Sequence, residues 1–82
     1  MEPTIGELYQ VSHRRRGVCQ ARIQGVERQL VALDGNDVGS YLWVGLQITE
    51  GTLRKLAHLG RYFSPGDQCE VLASEATFTR RL

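Results

Sequence analysis

The stretch Tyr9-Gln-Val-Ser-His-Arg-Arg-Arg-Gly-Val-Cys-Gln-Ala-Arg-Ile23 reads as two β-strands joined by a tight turn whose tip carries three consecutive arginines. A three-residue loop, Arg15-Arg16-Gly17 with Gly17 left-handed, sets Arg14 opposite Val18 and His13 opposite Cys19. Val11 then faces Ala21 and Tyr9 faces Ile23, so the apolar residues of both strands share one face. A two-residue loop instead sets Val11 against Gln20 and Ser12 against Cys19, which mixes the faces. The hairpin therefore has an apolar inner side, an outer side of Gln10, Ser12, Gln20 and Arg22, and positive charge at an exposed tip.

Downstream, Gln24-Gly25-Val26-Glu27 reads as a turn and residues 28–33 as a third strand, closed by Asp34-Gly35-Asn36-Asp37. Asp-Gly and Gly-Asn steps tolerate left-handed backbone, which is the chemistry a turn needs. Residues 40–49 form the longest strand candidate, in which Leu42, Val44, Leu46 and Ile48 alternate and should face the core. Tyr41, Trp43, Gly45 and Gln47 then lie on the opposite face, and Gly45 in mid-strand suggests a bend or bulge.

Residues 52–60 break this period. Leu53, Leu56, Ala57 and Leu59 fit a short helix, with Thr52 as N-cap and Gly60 as stop. Two turns of helix cannot stand alone in water, so it must pack on the sheet. Ser64-Pro65-Gly66-Asp67 is a turn, residues 68–73 place Cys69, Val71 and Ala73 in phase, and residues 77–80 close the fold with Phe78 inward. The expectation is a single all-β domain over residues 1–82: a small curled sheet or barrel of five or six short strands, with one short helix near residues 52–59.

The composition sets limits on function. Eighty-two residues leave no room for a second core. No apolar run approaches the roughly 20 residues that span a bilayer. The acidic start Met-Glu-Pro-Thr-Ile-Gly-Glu does not read as a signal peptide, so a soluble cytoplasmic protein with no membrane contact is expected. Cys19 and Cys69 are the two cysteines, and both fall on inward phases, which favours reduced, buried thiols over a disulfide. The formal net charge is only +1, which argues against a chain that coats DNA over its whole surface. Nine of the ten Lys and Arg residues are arginine, the side chain suited to phosphate forks and stacking. A GC-rich genome produces the same bias.

The segments Val11-Ser12-His13-Arg14-Arg15-Arg16-Gly17, Gly66-Asp67 and Ala76-Thr77-Phe78-Thr79 occur in that order. In this the chain resembles a group of small uncharacterised proteins carried by plasmids and phages, whose pattern is like Val-Ser/Thr-His-Ser-Arg-Lys-Gly, with the residue after His small and polar and the next two Arg or Lys. The resemblance implies a small SH3-like β-barrel and brings no catalytic residues with it. Arg14 departs from the small polar residue of that pattern, and residues 52–60 look more helical than it implies.

For the candidate sites, two readings compete in each case. Arg14, Arg15 and Arg16, extended by Arg22, suit contact with nucleic-acid phosphates, and an arginine-tipped ribbon fits a DNA major groove. The same charges could simply be a solvated turn that keeps a hairpin edge from aggregating. Tyr41 and Trp43 make a stacking platform for bases or a peptide if their face is open, and a second core layer if it is not. Arg54, Lys55, His58 and Arg61 read as a cationic side of the short helix or as an ordinary solvated face. His13, Cys19, His58 and Cys69 are zinc-type residues at spacings that form no local chelate. Ser12 and His13 point to opposite faces of a strand and cannot act as a nucleophile–base pair. The sequence thus reads as a non-catalytic binding module without cofactor or metal, a monomer or homodimer, with nucleic acid the first ligand expected. The alternative is a protein-interaction or inhibitor module, such as an accessory factor of a mobile element acting on a host protein.

Overall fold

Period-two alternation carries most of the chain into strands. The computed structural model describes residues 2–32, 38–58 and 60–81. Its strands are β1 (Leu8–His13), β2 (Gly17–Ala32), β3 (Val38–Gly51), β4 (Leu53–Arg54), β5 (Tyr62–Phe63), β6 (Gln68–Leu72) and β7 (Ala76–Arg80). A 3-10 turn at Ala73–Glu75 separates the last two. Five strands form one antiparallel sheet in the order β6-β3-β2-β1-β7, and β4 pairs with β5 in a small separate hairpin.

No pairing joins the edge strands β6 and β7 among the described residues. They are nevertheless close in space. Four steps of chain from Leu72 to Ala76 reach at most about 14 Å, whereas four inter-strand spacings in a flat sheet would separate these edges by roughly 19 Å. The sheet must therefore curl, and its concave side holds the core. Tyr9, Val11, Cys19, Ala21, Ile23, Val44, Leu46, Ile48, Leu53 and Val71 are buried there. Phe63, Cys69 and Phe78 pack against them half-buried, with the Phe78 ring perpendicular to Tyr9 at 6.2 Å between centroids.

The inner and outer faces of the first hairpin, of β6 and of β7 fall as their alternation requires. The first hairpin's register differs. His13 pairs with Gly17, Val11 with Cys19 and Tyr9 with Ala21, so the loop is Arg14-Arg15-Arg16 rather than residues 15–17. The shift is two residues, and a shift of two returns every side chain to the same face, so hydrophobic pattern alone cannot detect it. Gly17 does have positive φ, +111°.

Two further expectations are corrected. Residues 24–27 are not a turn and residues 28–32 are not a separate strand; β2 runs unbroken to Ala32. Register shifts mark two bulges in the β2–β3 ladder. Thr49 is the extra residue on β3, between the pairs Gln20–Glu50 and Ala21–Ile48, and Gln24 is the extra residue on β2, between Ile23–Leu46 and Gly25–Gly45. The second bulge reverses the facing of β2, so that Val26 rather than an odd-numbered residue packs toward the core. Beyond it the two strands project as an arm. There Leu42 is only half-buried, and Leu30 is 71% exposed. The anticipated turn over residues 34–37 lies outside the described residues, as does Leu33.

Among the described residues there is also no helix where one was expected, over residues 52–58. Leu53 is fully buried, but Leu56 and Ala57 are exposed, and β4 and β5 form a hairpin around them; Leu59 lies outside the described residues. Lys55 N–H donates to the Arg61 carbonyl at 2.9 Å, and Arg61 N–H to the His58 carbonyl at 3.2 Å. So short a helix gains few backbone bonds. The hairpin instead buries Leu53 and bonds its backbone to the β1–β2 turn, as described below.

Gly51 joins β3 to β4 at φ +79°, and a Cβ there would lie 3.0 Å from the Val18 carbonyl oxygen and 3.1 Å from the Cys19 Cα. Gly51→Ala should lower stability by roughly 1–3 kcal/mol. Gly25→Ala, with no positive φ and nothing within 4 Å of the added Cβ, should leave it unchanged or raise it slightly. Urea midpoints of the two variants test this; equal midpoints would refute the strain assigned to Gly51.

Candidate nucleic-acid interface

The three arginines of the turn have different surroundings. Arg14 is exposed, and its backbone N–H donates to the Glu75 carbonyl at 2.9 Å. Arg15 forms an ion pair with Glu75, Nη2 to Oε2 at 2.9 Å, and keeps 65% of its side chain exposed. Exposed pairs of this kind contribute about 0–1 kcal/mol, so a phosphate can compete for the guanidinium.

Arg16 is folded inward. Its Nε donates to the Arg54 carbonyl at 2.8 Å and its Nη1 to the Glu70 carbonyl at 3.2 Å, while the guanidinium lies over the Phe63 ring at 5.6 Å. Arg54 N–H returns a bond to the Arg16 carbonyl at 2.9 Å. Arg16 is thus a brace that ties the β1–β2 turn to β4 and β6.

The brace has a consequence for charge. It draws the β4–β5 hairpin, with Arg54, Lys55, His58 and Arg61, against the arginine turn. Lys55 Nζ lies over the same Phe63 ring at 4.9 Å. Lys55, His58 and Arg61 together line an open cup of about 270 Å³. Residues separated by some forty positions in sequence therefore form one cationic end. Sequence reading identified both groups, but assigned the second to a helix and had no means of joining them.

The remaining expected site residues lie elsewhere. Arg22 is exposed on β2 and donates from Nη1 to the Gly6 carbonyl at 2.7 Å. Tyr41 is 43% exposed on the arm. Trp43 is half-buried, its indole N–H donating to Gln29 Oε1 at 2.8 Å. It pairs with Glu27 on β2, ten residues from Gly17 and so about 30 Å of chain from the turn. Arginine turn and aromatic pair do not form one continuous surface.

His13 supports the turn from beneath. It is buried, and its Nδ1 accepts the Arg15 N–H at 3.1 Å, which requires that nitrogen to be unprotonated. Burial, and then the Arg16 guanidinium, hold His13 below the usual imidazole value of 6.5, with Glu75 pulling the other way. Burial likewise pushes the Cys19 thiol up to about 11, with Cys69 adding to it, and raises Cys69. Both cysteines are free thiols in uncharged form at neutral pH. No cluster of three or more His, Cys, Asp or Glu residues suited to a metal occurs among the described residues, and no described helix is long and apolar enough to cross a membrane.

Compared with protein-family models, with curated proteins and with solved structures, the chain matches none of them.

Two outcomes are expected. Arg16→Ala should destabilise the fold more than Arg14→Ala, by about 1–3 kcal/mol, because two carbonyls and an aromatic face lose their partner; equal urea midpoints for the two variants would refute the brace. For His13, the folded pKa lies below the unfolded one, so its stabilising contribution is fully present above about pH 6.5 and is lost as pH falls below that value. The stability difference between wild type and His13→Asn, which keeps an acceptor in place of Nδ1, should narrow between pH 7.5 and pH 5. Parallel pH profiles for the two proteins would refute this role.

Proposed function

We propose that this chain is a non-catalytic binding module of SH3-like architecture that docks on nucleic-acid phosphates through its cationic end. The architectural part rests on connectivity. Five strands ordered β7-β1-β2-β3-β6, a long bent second strand and a 3-10 turn linking the two edges are what such a barrel needs. The functional part rests on one observation: the reciprocal backbone and side-chain bonds between Arg16 and Arg54, which bring two separate groups of cations together. Arg14 and Arg15 then contact phosphates beside the cup of Lys55, His58 and Arg61, while Arg16 holds the two hairpins in place. Arg22, at the far end of the β1–β2 pairing, and Tyr41 and Trp43 are not part of this contact. Such a surface reads charge and backbone rather than base sequence.

Affinity for a labelled duplex should fall steeply with salt, with a log–log slope of about −0.9 per phosphate contacted. The combined variant Arg14→Ala, Arg15→Ala, Lys55→Ala and Arg61→Ala should retain the wild-type melting transition and flatten that slope by about two to four contacts. Fluorescence anisotropy across a salt series measures both. A wild-type protein whose anisotropy signal is absent at low salt, or a variant with an unchanged slope, would refute the proposal.

A protein-interaction or inhibitor module is the second reading, favoured by the near-neutral net charge and by Leu30 and Tyr41 exposed on the arm. A stoichiometric partner that survives nuclease treatment would support it over the first.

A further inference from the structure

The outer face of the sheet has a depression that the cationic end does not use. Three strands contribute to it, in three rows. Glu27, Trp43 and Leu72 are neighbours in the first row, Gly25, Gly45 and Glu70 in the second, and Arg22, Gln47 and Gln68 in the third, where the Arg22 guanidinium is bonded to the Gly6 carbonyl and Gln24 donates from Nε2 to Gln47 Oε1 at 3.2 Å. The middle row has two adjacent residues without side chains. The result is a trench of about 450 Å³ across β3, lined by Trp43 on one side and by glutamine amides on the other.

Neither glycine is required by the backbone. Gly25 and Gly45 have no positive φ. A Cβ at Gly25 would meet nothing within 4 Å, and one at Gly45 would make only ordinary contacts, the nearest at 3.7 Å from the Gly25 nitrogen. Glycine within a strand lowers stability by roughly 0.5–1 kcal/mol relative to alanine. The pair therefore weakens the longest ladder in the molecule, and what it provides in return is the space.

The chemistry around that space is specific. Glu27 and Glu70 both line the trench, and neither enters an ion pair among the described residues. The Glu70 backbone is held by Arg16 Nη1, and the Trp43 ring is held through its indole N–H by Gln29. Two carboxylates exclude a phosphate from this trench. A fixed indole, amide acceptors and carboxylates around a narrow slot suit a planar cation, which stacks on an aromatic face while its edge donates to oxygens.

We propose that this trench is a second binding site, distinct from the cationic end, that takes the guanidinium of an arginine side chain presented by a peptide segment of a protein partner. The glycine row admits the plane of the guanidinium, Trp43 stacks on it, and Glu27 and Glu70 receive its N–H groups. This inference stands on residues the phosphate-binding reading does not use, so either can fail without the other.

Trp43 is the sole tryptophan, so its fluorescence reports on the trench directly. The probe is the capped peptide acetyl-Gly-Arg-Gly-Arg-Gly-amide, with the same peptide carrying citrulline, neutral but of the same shape, as control. The arginine peptide should change Trp43 emission saturably, and the citrulline peptide should bind at least tenfold more weakly. Gly25→Val with Gly45→Val, which fills the trench with residues that strands favour, should weaken binding at least tenfold while the far-ultraviolet circular dichroism is kept. Glu27→Gln with Glu70→Gln, which removes charge and leaves shape, should do the same and keeps the test decisive if the valine variant misfolds. A non-saturable response to the arginine peptide, an equal response to citrulline, or full binding by a folded valine variant would each overturn the proposal. Loss of duplex affinity in the cationic-end variant with peptide binding retained would separate the two sites.

Discussion

The antiparallel ladder between β2 and β3 governs the rest of the molecule, because it is the longest pairing and it is interrupted twice. An uninterrupted ladder of thirteen pairs would be a twisted ribbon with constant faces. The extra residue at Thr49 and the extra residue at Gln24 bend it, since a bulge increases local twist and leaves one residue unpaired. The bend curls the sheet until a 3-10 turn suffices to connect its two edges. It also divides β2 into a half whose odd-numbered residues build the core and a half in which the inward phase passes to Val26. Where that division falls, the glycine pair opens the trench.

Charge in this protein is a matter of placement rather than amount. A net charge of +1 hides a segregation that exists only in three dimensions. Arg16 contributes most to it and has the least freedom to bind anything, because its donors already satisfy carbonyls of β4 and β6. Its role is to hold Arg14, Arg15 and the β4–β5 cations in one place. The neutral His13 beneath the turn belongs to the same arrangement, since a proton there would add charge to a group of cations and remove the acceptor for Arg15 N–H. The two proposed sites are thus of opposite sign and are joined by one residue of the turn, Arg16, whose guanidinium bonds the Arg54 carbonyl of β4 on one side and the Glu70 carbonyl on the other.

Local pattern in the chain was sufficient for the facing of side chains in the first hairpin and along β3 from Trp43 to Ile48. Val44, Leu46 and Ile48 face inward, Trp43 and Gly45 outward, Gly17 takes positive φ, and the three arginines sit on a turn; each follows from alternation or from the steric freedom of glycine. The same pattern overestimated the helix at residues 52–59, because Leu53, Leu56 and Ala57 match a helical spacing and only Leu53 is in fact buried.

Which strand lies against which, and in what register, was decided only by the folded chain. A two-residue slip of β1 against β2 preserves both faces, so hydrophobicity is blind to it. The continuity of β2 through Gln24 depends on Gly45 and Leu46 across the ladder, not on residues 24–27 themselves. The inward turn of Arg16 depends on carbonyls contributed by Arg54 and Glu70, far away in sequence. Alternation is a property of neighbours along the chain and survives any partner, whereas register, bulges and the fate of one guanidinium are properties of pairs that meet only after folding.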